Sequence, residues 1–180
     1  MTGLCAARER AKEATQARCE LAWDVLRGVN DPEVPVISVV DLGIVREVTV
    51  EDDGLVVTVT PTYSGCPATE AIEASIVAAL DAAGLGPTRI RIERAPAWTS
   101  DWISADGRAK LHAYGIAPPG PVDRDAALPL RFVARPPAPL ACPRCASTNT
   151  ERLAAFGATA CKALWRCRAC GEPFEHFKPI

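Results

Sequence analysis

Histidine is almost missing from this chain: His112 and His176 are the only two, and they stand far apart. Together with Cys66 they do not compose a nucleophile, a base and an orienting group, so no covalent or acid–base active site can be assembled from the sequence. Phosphate-loop glycines, an adenylate-binding fingerprint and a helical His-Glu-x-x-His are absent as well. Neither sign of charge dominates. Lys and Arg number 20 against 22 Asp and Glu, a formal charge of -2, which gives no general drive toward nucleic acid or an anionic membrane. No apolar run approaches the roughly 20 residues needed to cross a bilayer, and the N-terminal stretch, rich in Arg, Lys and Glu, lacks the apolar segment of a signal peptide. A cytoplasmic protein with no nucleic-acid or membrane partner is expected. No internal repeat is visible.

The apolar content of 48% and charged content of 23% describe a globular protein rather than a disordered one. There are eight cysteines, and their distribution argues against a secreted disulfide scaffold. Cys5, Cys19 and Cys66 are isolated, whereas Cys142, Cys145, Cys161, Cys167 and Cys170 crowd the tail. Paired C-x-x-C without a secretion signal reads as metal binding. Many of the 16 prolines fall between Pro118 and Pro143 and mark a boundary. The expected organisation is a first domain over 11–116, a proline-rich linker over 117–139 that is extended and moderately stiff, and a small module over 140–180.

In chain order, a helix is expected over 11–29 from the apolar stripe Leu21, Ala22, Val25, Leu26 and Val29, ended by Asn30-Asp31-Pro32-Glu33. A β-rich stretch from Ile44 to Val50 leads through Asp52-Asp53-Gly54, a hairpin signal, into a strand from Leu55 to Thr60. Leu55, Val57 and Val59 should face the core, while Val56, Thr58 and Thr60 face outward or meet a partial second layer. A helix opening at Pro67 carries Ile72, Ile76, Ala79, Leu80 and Ala83 on one side and stops at Gly84 and Gly86. Ile90 and Ile92 then alternate with charged residues in a third strand. The sum is α-β-β-α-β, a compact two-layer α/β unit. At about 1.5–3 kcal/mol for each fully buried Leu, Ile or Val, its core needs no metal or disulfide. Trp98 and Trp102 follow, either as a partner surface or as a lid over the core. Leu128, Leu130, Phe132 and Val133 can pack as a short strand or against either module.

Two stretches carry chemistry. In Thr60-Pro61-Thr62-Tyr63-Ser64-Gly65-Cys66-Pro67 a thiol is offered where a strand ends and a helix begins. Amide dipoles pointing at Cys66 would favour thiolate, making it a better nucleophile and soft-metal ligand; a buried, structural cysteine is the competing reading. Asp31, Glu33 and Asp41 are expected near it at the end of the sheet, where two carboxylates and a thiol can bind iron transiently, although Asp31 and Asp41 can instead cap turns. In the tail, Cys142-Pro143-Arg144-Cys145 and Cys167-Arg168-Ala169-Cys170 let four thiolates converge tetrahedrally on a structural zinc, with iron the alternative, and the residues between form the hairpin of a zinc ribbon. Cys161 is a fifth thiol, either packed in the ribbon or an accessory that exchanges metal. The ribbon is cationic, with Arg144, Arg152, Lys162, Arg166, Arg168 and Lys178 against Glu151, Glu172 and Glu175, and a protein docking surface is expected of it.

Asp31-Pro32-Glu33-Val34-Pro35, Asp41-Leu42-Gly43-Ile44-Val45 and Thr60-Pro61-Thr62 with Gly65-Cys66-Pro67 together resemble the MIP18 family, also called the DUF59 or SufT-like domain. Trp98-Thr99-Ser100-Asp101-Trp102 and the tail, with Phe156-Gly157, Cys161-Lys162-Ala163-Leu164 and Phe174-Glu175-His176-Phe177-Lys178, resemble the PaaD (PaaJ) family of bacterial phenylacetate degradation. The resemblance implies an accessory factor of the phenylacetyl-CoA 1,2-epoxidase system, a multicomponent oxygenase fed by an iron–sulfur reductase. It implies assembly or delivery of a cluster to the reductase component rather than catalysis, with Cys66 matching the family cysteine implicated in delivery and Asp31, Glu33 and Asp41 matching its acidic signatures. A transient iron–sulfur cluster or iron at Cys66, oxygenase and reductase partners and a homodimer around a shared cluster follow from that reading. Relatives of the PaaD type often carry another cysteine where this chain reads Lys178-Pro179-Ile180. Two other classes stand beside it: a non-catalytic interaction component of the oxygenase, and a thiol enzyme acting on a CoA thioester.

Overall fold

The stripe around Leu26 becomes a long helix, α1 (Thr2–Leu26), in which Ala22 and Leu26 are fully buried and Leu21 stays exposed. The computed structural model describes residues 2–52, 54–63, 65–122 and 140–180, with side chains from residue 9 onward. α1 ends at Leu26, before the Asn-Asp-Pro sequence expected to stop it. The Arg27 and Gly28 amides donate back to Trp23 and Val25, and Val29 is buried beyond the helix end.

The chain divides into Met1–Trp98 and Thr99–Ile180. In the first unit, β1 (Val45–Glu51) and β2 (Gly54–Val59) pair antiparallel across a turn in which Asp52 takes a positive φ of 52°. The helix α2 (Thr69–Ala82) returns the chain to β3 (Thr88–Ile92), which lies parallel to β2 in the order β1-β2-β3. Ile72, Ile76 and Leu80 form the buried stripe of α2, while Ala83 is exposed past its end. The α-β-β-α-β unit expected from the hydrophobic periods is therefore present. Every residue of β2 is buried, Val56 and Thr58 as thoroughly as Leu55 and Val57, so the outward-facing alternative for that strand does not hold. Trp98 closes the unit from the core side. It is 4% exposed and its Nε1–H donates to the Leu42 carbonyl at 3.0 Å. The partner-surface role considered for Trp98 is overturned by that burial.

The second unit starts earlier than the proline-rich boundary suggested. Thr99 caps the turn Ser100–Trp102, and Ser104 caps α3 (Ala105–Ala113) by accepting from the Gly107 amide at 2.9 Å. β4 (Ile116–Ala117) then pairs parallel with β7 (Pro173–Phe177), which ties residues 99–117 to the tail. β7 pairs antiparallel with β6 (Lys162–Cys167), and β6 with β5 (Thr150–Ala154), giving the order β4-β7-β6-β5. Ala117, Cys142, Ala163, Trp165, Cys167 and Phe174 form one buried cluster of it, with Leu140 against them. Residues 123–139, with the linker strand considered at Leu128, Leu130, Phe132 and Val133, lie outside the described residues.

One ion pair is buried in this sheet. Lys162 is 4% exposed and its Nζ lies 2.7 Å from a Glu175 carboxylate oxygen, while the other oxygen accepts the Ala158 amide at 3.0 Å. Removing one partner leaves an uncompensated charge, whereas removing both does not. Glu175→Ala should therefore cost about 3–5 kcal/mol in denaturant unfolding of the ribbon, and the double variant Lys162→Met with Glu175→Leu should recover most of it. Equal losses in the two proteins would show that the pair does not carry this sheet.

Candidate functional site

Two consecutive turns set the position of Cys66. Its amide donates to the Tyr63 carbonyl at 3.4 Å across Gly65, whose φ of 89° lies in the region that favours glycine. Its own carbonyl then accepts the Thr69 amide at 3.2 Å across Pro67, a residue whose fixed φ suits the second position of such a turn. α2 consequently begins at Thr69 rather than Pro67, with Ala68 as an N-cap that offers no side-chain acceptor. The Gly-Cys-Pro triplet is thus accounted for by backbone geometry, and its product is a half-buried thiol two residues ahead of the N-cap.

Cys66 opens on a narrow pocket of about 20 Å³, lined also by Asp31, Ile44, Val59, Pro61, Thr62, Thr69, Ile72 and Glu73. Asp31 and Cys66 therefore share one pocket. Glu33 and Asp41, expected beside them, do not line it. The Asp41 carboxylate instead accepts from Ser38 Oγ at 3.0 Å, and Ser38 Oγ accepts the Asp41 amide, a local turn bracket. Asp31 has a structural role too: its Oδ1 accepts the amides of Glu33 and Val34, both at 2.8 Å. Glu73 and Thr69, one helical turn apart on α2, are pocket residues that the sequence reading did not single out. Their places beside the buried Ile72, Glu73 next to it and Thr69 one helical turn before, were the available signal.

The tail thiols converge. One sulfur from each of Cys142, Cys145, Cys167 and Cys170 lies within 4.8 Å of the others, with Cys145 to Cys167 at 3.5 Å and Cys142 to Cys170 at 3.9 Å. Four sulfurs about 2.3 Å from one tetrahedral ion would stand about 3.8 Å apart, so the donor set fits a metal. Both knuckles use the same backbone turn. The Cys142 amide donates to Ser147 and its carbonyl accepts from Ala146; the Cys167 amide donates to Glu172 and its carbonyl accepts from Gly171. Ala146 and Gly171 both take positive φ, at 59° and 79°. Amides of Cys170 and Ala169 aimed at its sulfur hold the Cys167 thiol down at about 7, against an ordinary 9.0. Cys142 and Cys167 are buried and Cys145 and Cys170 exposed, so the centre has a core side and a solvent side.

The remaining candidates stand apart from this cluster. Cys161 is buried with its sulfur 3.0 Å from Thr159 Oγ1 and does not belong to the converging four. The adjacent Lys162 is committed to Glu175. His176 is packed edge-on to Trp165, with centroids 6.1 Å apart, and burial, helped by Lys178, pushes it down to about 4. Trp102 is half-buried in the Ser100–Trp102 turn. Among the described residues no helix is long and apolar enough to cross a membrane.

An α-β-β-α-β domain with a turn-mounted cysteine, followed by a four-cysteine ribbon, defines a class of two-module metal-handling protein. Comparison with known proteins agrees for each module. A model of iron–sulfur cluster assembly proteins matches residues 20–93, and a model of the PaaD zinc beta ribbon domain matches residues 129–178. A protein of Escherichia coli (strain K12), provisionally named as one of the subunits of 1,2-phenylacetyl-CoA epoxidase, is 46% identical over 158 residues, covering 88% of this chain and 91% of the relative. The chain belongs to the PaaD family. Its first module is also similar to the Fe-S protein maturation auxiliary factor YitW of Bacillus subtilis (strain 168), at 38% identity over 53% of this chain and 95% of that protein. A solved DUF59 domain from Bacillus anthracis shares the fold with a TM-score of 0.51 at 24% identity, covering 56% of this chain and 96% of its own.

The Asp31 geometry separates a scaffolding carboxylate from a ligand. Asp31→Ala, which strips two amides of their acceptor, should lower the unfolding free energy of the first unit by about 1–3 kcal/mol, and Asp31→Asn, which keeps an acceptor oxygen, should restore most of it. Chemical denaturation of both variants checks this; an unperturbed Asp31→Ala protein would deny the turn its anchor.

Proposed function

We propose that this chain is an accessory maturation factor of the phenylacetyl-CoA epoxidase system, which assembles or delivers an iron–sulfur cluster to the reductase component and catalyses no ring chemistry itself. The names borne by its relatives, a phenylacetyl-CoA epoxidase component and an Fe-S protein maturation auxiliary factor, support the two halves of that reading. The observation that carries it is Cys66: a half-exposed thiol held by two turns at the rim of a pocket too small, at about 20 Å³, to enclose a cluster. A sulfur so mounted can ligate cargo at the pocket mouth and release it by ligand exchange, one client thiolate replacing the Cys66 thiolate on iron without change of oxidation state. Asp31 and Glu73 are the carboxylates that line that pocket, and Asp41 brackets a neighbouring turn.

In the tail, Cys142, Cys145, Cys167 and Cys170 hold one zinc ion. Four thiolates fill a tetrahedral shell and leave no open position, so the metal there supplies folding energy rather than chemistry. Oxygenase and reductase proteins are the partners of this reading, and pairing of two chains around one cluster is compatible with the single carrier thiol.

Cells carrying Cys66→Ser should keep a folded, zinc-loaded chain while the cluster content of the epoxidase reductase falls most of the way to that of cells lacking the chain. Full cluster occupancy with the serine variant would remove the carrier role. Metal analysis of the purified wild-type chain should give about one zinc per chain, and chelation should abolish the ribbon's dispersed spectrum while leaving the signals of the α-β-β-α-β unit. A metal-free ribbon that stays folded would contradict the zinc assignment.

A further inference from the structure

The ribbon's edge strand is unusual in what it leaves to solvent. Arg152, Leu153, Ala154, Ala155 and Phe156 are consecutively exposed, with Leu153 at 48% and Phe156 at 66%. β5 is the last strand of the order β4-β7-β6-β5, where natural sheets place charges, prolines or a covering segment. Here Leu153 occupies a bulge. Arg152 pairs with Trp165 and Ala154 with Leu164, so Leu153 has no partner of its own and the bulge turns it outward. An apolar side chain aimed into water by a bulge, beside an exposed aromatic, is the pattern of a binding surface rather than of a managed edge.

The charges around it indicate what binds. All three glutamates of the ribbon are engaged: Glu151 with Arg166 and Arg168, Glu172 with Arg144 at 3.2 Å, and Glu175 with Lys162 at 2.7 Å. Two cations are left without a carboxylate among the described residues, Arg152 and Lys178, and these border the exposed apolar run. The Lys178 ammonium lies 4.3 Å from the Phe156 ring centroid and donates to the Ala155 carbonyl at 3.3 Å, which fixes one face of the ring and leaves the rest presented. The loop behind it is equally fixed. The Gly157 amide donates to the Lys162 carbonyl at 2.7 Å, and a Cβ at Gly157 would come within 2.7 Å of a Glu175 oxygen. Phe156 and the loop behind it are therefore preorganised and lose little freedom on binding.

We infer that Leu153, Phe156, Arg152 and Lys178 form the docking surface for the client protein, which presents an apolar side chain flanked by carboxylates. This rests on the maturation-factor reading, and it assigns to the ribbon edge the contact role that Trp98, being buried, does not fill. The bulge breaks the ladder spacing at Leu153, so recognition is by side-chain capture and charge pairing rather than by addition of a strand.

The test uses the full zinc-loaded chain and, as probe, the purified remaining components of the phenylacetyl-CoA epoxidase of the same organism, with affinity measured by calorimetry at low and moderate salt. Leu153→Ser with Phe156→Ser should weaken binding at least about tenfold at unchanged metal content and melting temperature, as expected of central apolar anchors. Arg152→Glu with Lys178→Glu should weaken it too and should reverse the sign of the wild type's salt dependence, since salt then screens repulsion rather than attraction. Cys66→Ser should bind as tightly as wild type yet fail to load its client; normal loading by that variant would end the carrier reading without touching the docking surface. Wild-type affinity in the serine double variant would overturn the proposal. So would a wild-type chain that binds none of the components, or sedimentation showing that these substitutions only dissociate a dimer of the chain.

Discussion

Four sulfur atoms gathered within 4.8 Å of one another are the constraint on which the second unit depends. Its strands are short, and two of the six members of the buried cluster beside the knuckles, Cys142 and Cys167, also belong to the four converging thiols. A metal held by those thiols would therefore be part of the packing of that cluster. The backbone reflects the same demand. Ala146 is held in a left-handed conformation that costs an alanine about 1–2 kcal/mol, at the position where the second knuckle uses Gly171. Such a residue persists where its surroundings over-determine it, and here the matching hydrogen bonds of both knuckles do so.

The first unit is built the other way round. Leu26, Ile37, Leu55, Val57, Ile76 and Leu80 are fully buried, and no ligand is needed to bring α1 and α2 onto the sheet. Cys66 is outside that core. Its place comes from turns that glycine and proline prescribe, so thiol presentation is a property of the backbone rather than of a metal or a neighbouring charge. Asp31 links the two requirements, because the carboxylate that lines the thiol's pocket also organises the turn leading into the Ile37–Val39 core segment.

Features carried by local chemistry were legible in the sequence. Alternation in Leu55 to Val59, the spacing of Ile72, Ile76 and Leu80, the Asp-Gly hairpin and the two C-x-x-C pairs each encode their structure within a few residues. What depended on distant neighbours was not. Nothing near Val56 or Thr58 announces that both faces of β2 are covered, and nothing beside Trp98 announces Leu42 as its acceptor. Nothing beside Ile116 and Ala117 announces the strand that β7 pairs with across the proline-rich stretch. In the site, the acidic signature of Asp31, Glu33 and Asp41 was visible, but short polar side chains favour their own backbone, and this separated Asp31 from the other two at the pocket. The register shift at Leu153, which leaves that side chain exposed, cannot be read from composition.

A carrier thiol and a client-binding surface on separate modules impose different demands on affinity. A sulfur that must release its cargo cannot hold it tightly, and a pocket of about 20 Å³ offers little beyond the thiol itself. A ribbon that grips the client removes that conflict, since tethering converts the meeting of client and thiol into an intramolecular event. On the proposed division of labour, binding strength resides in Phe156 and its surroundings while exchange at Cys66 stays weak and reversible.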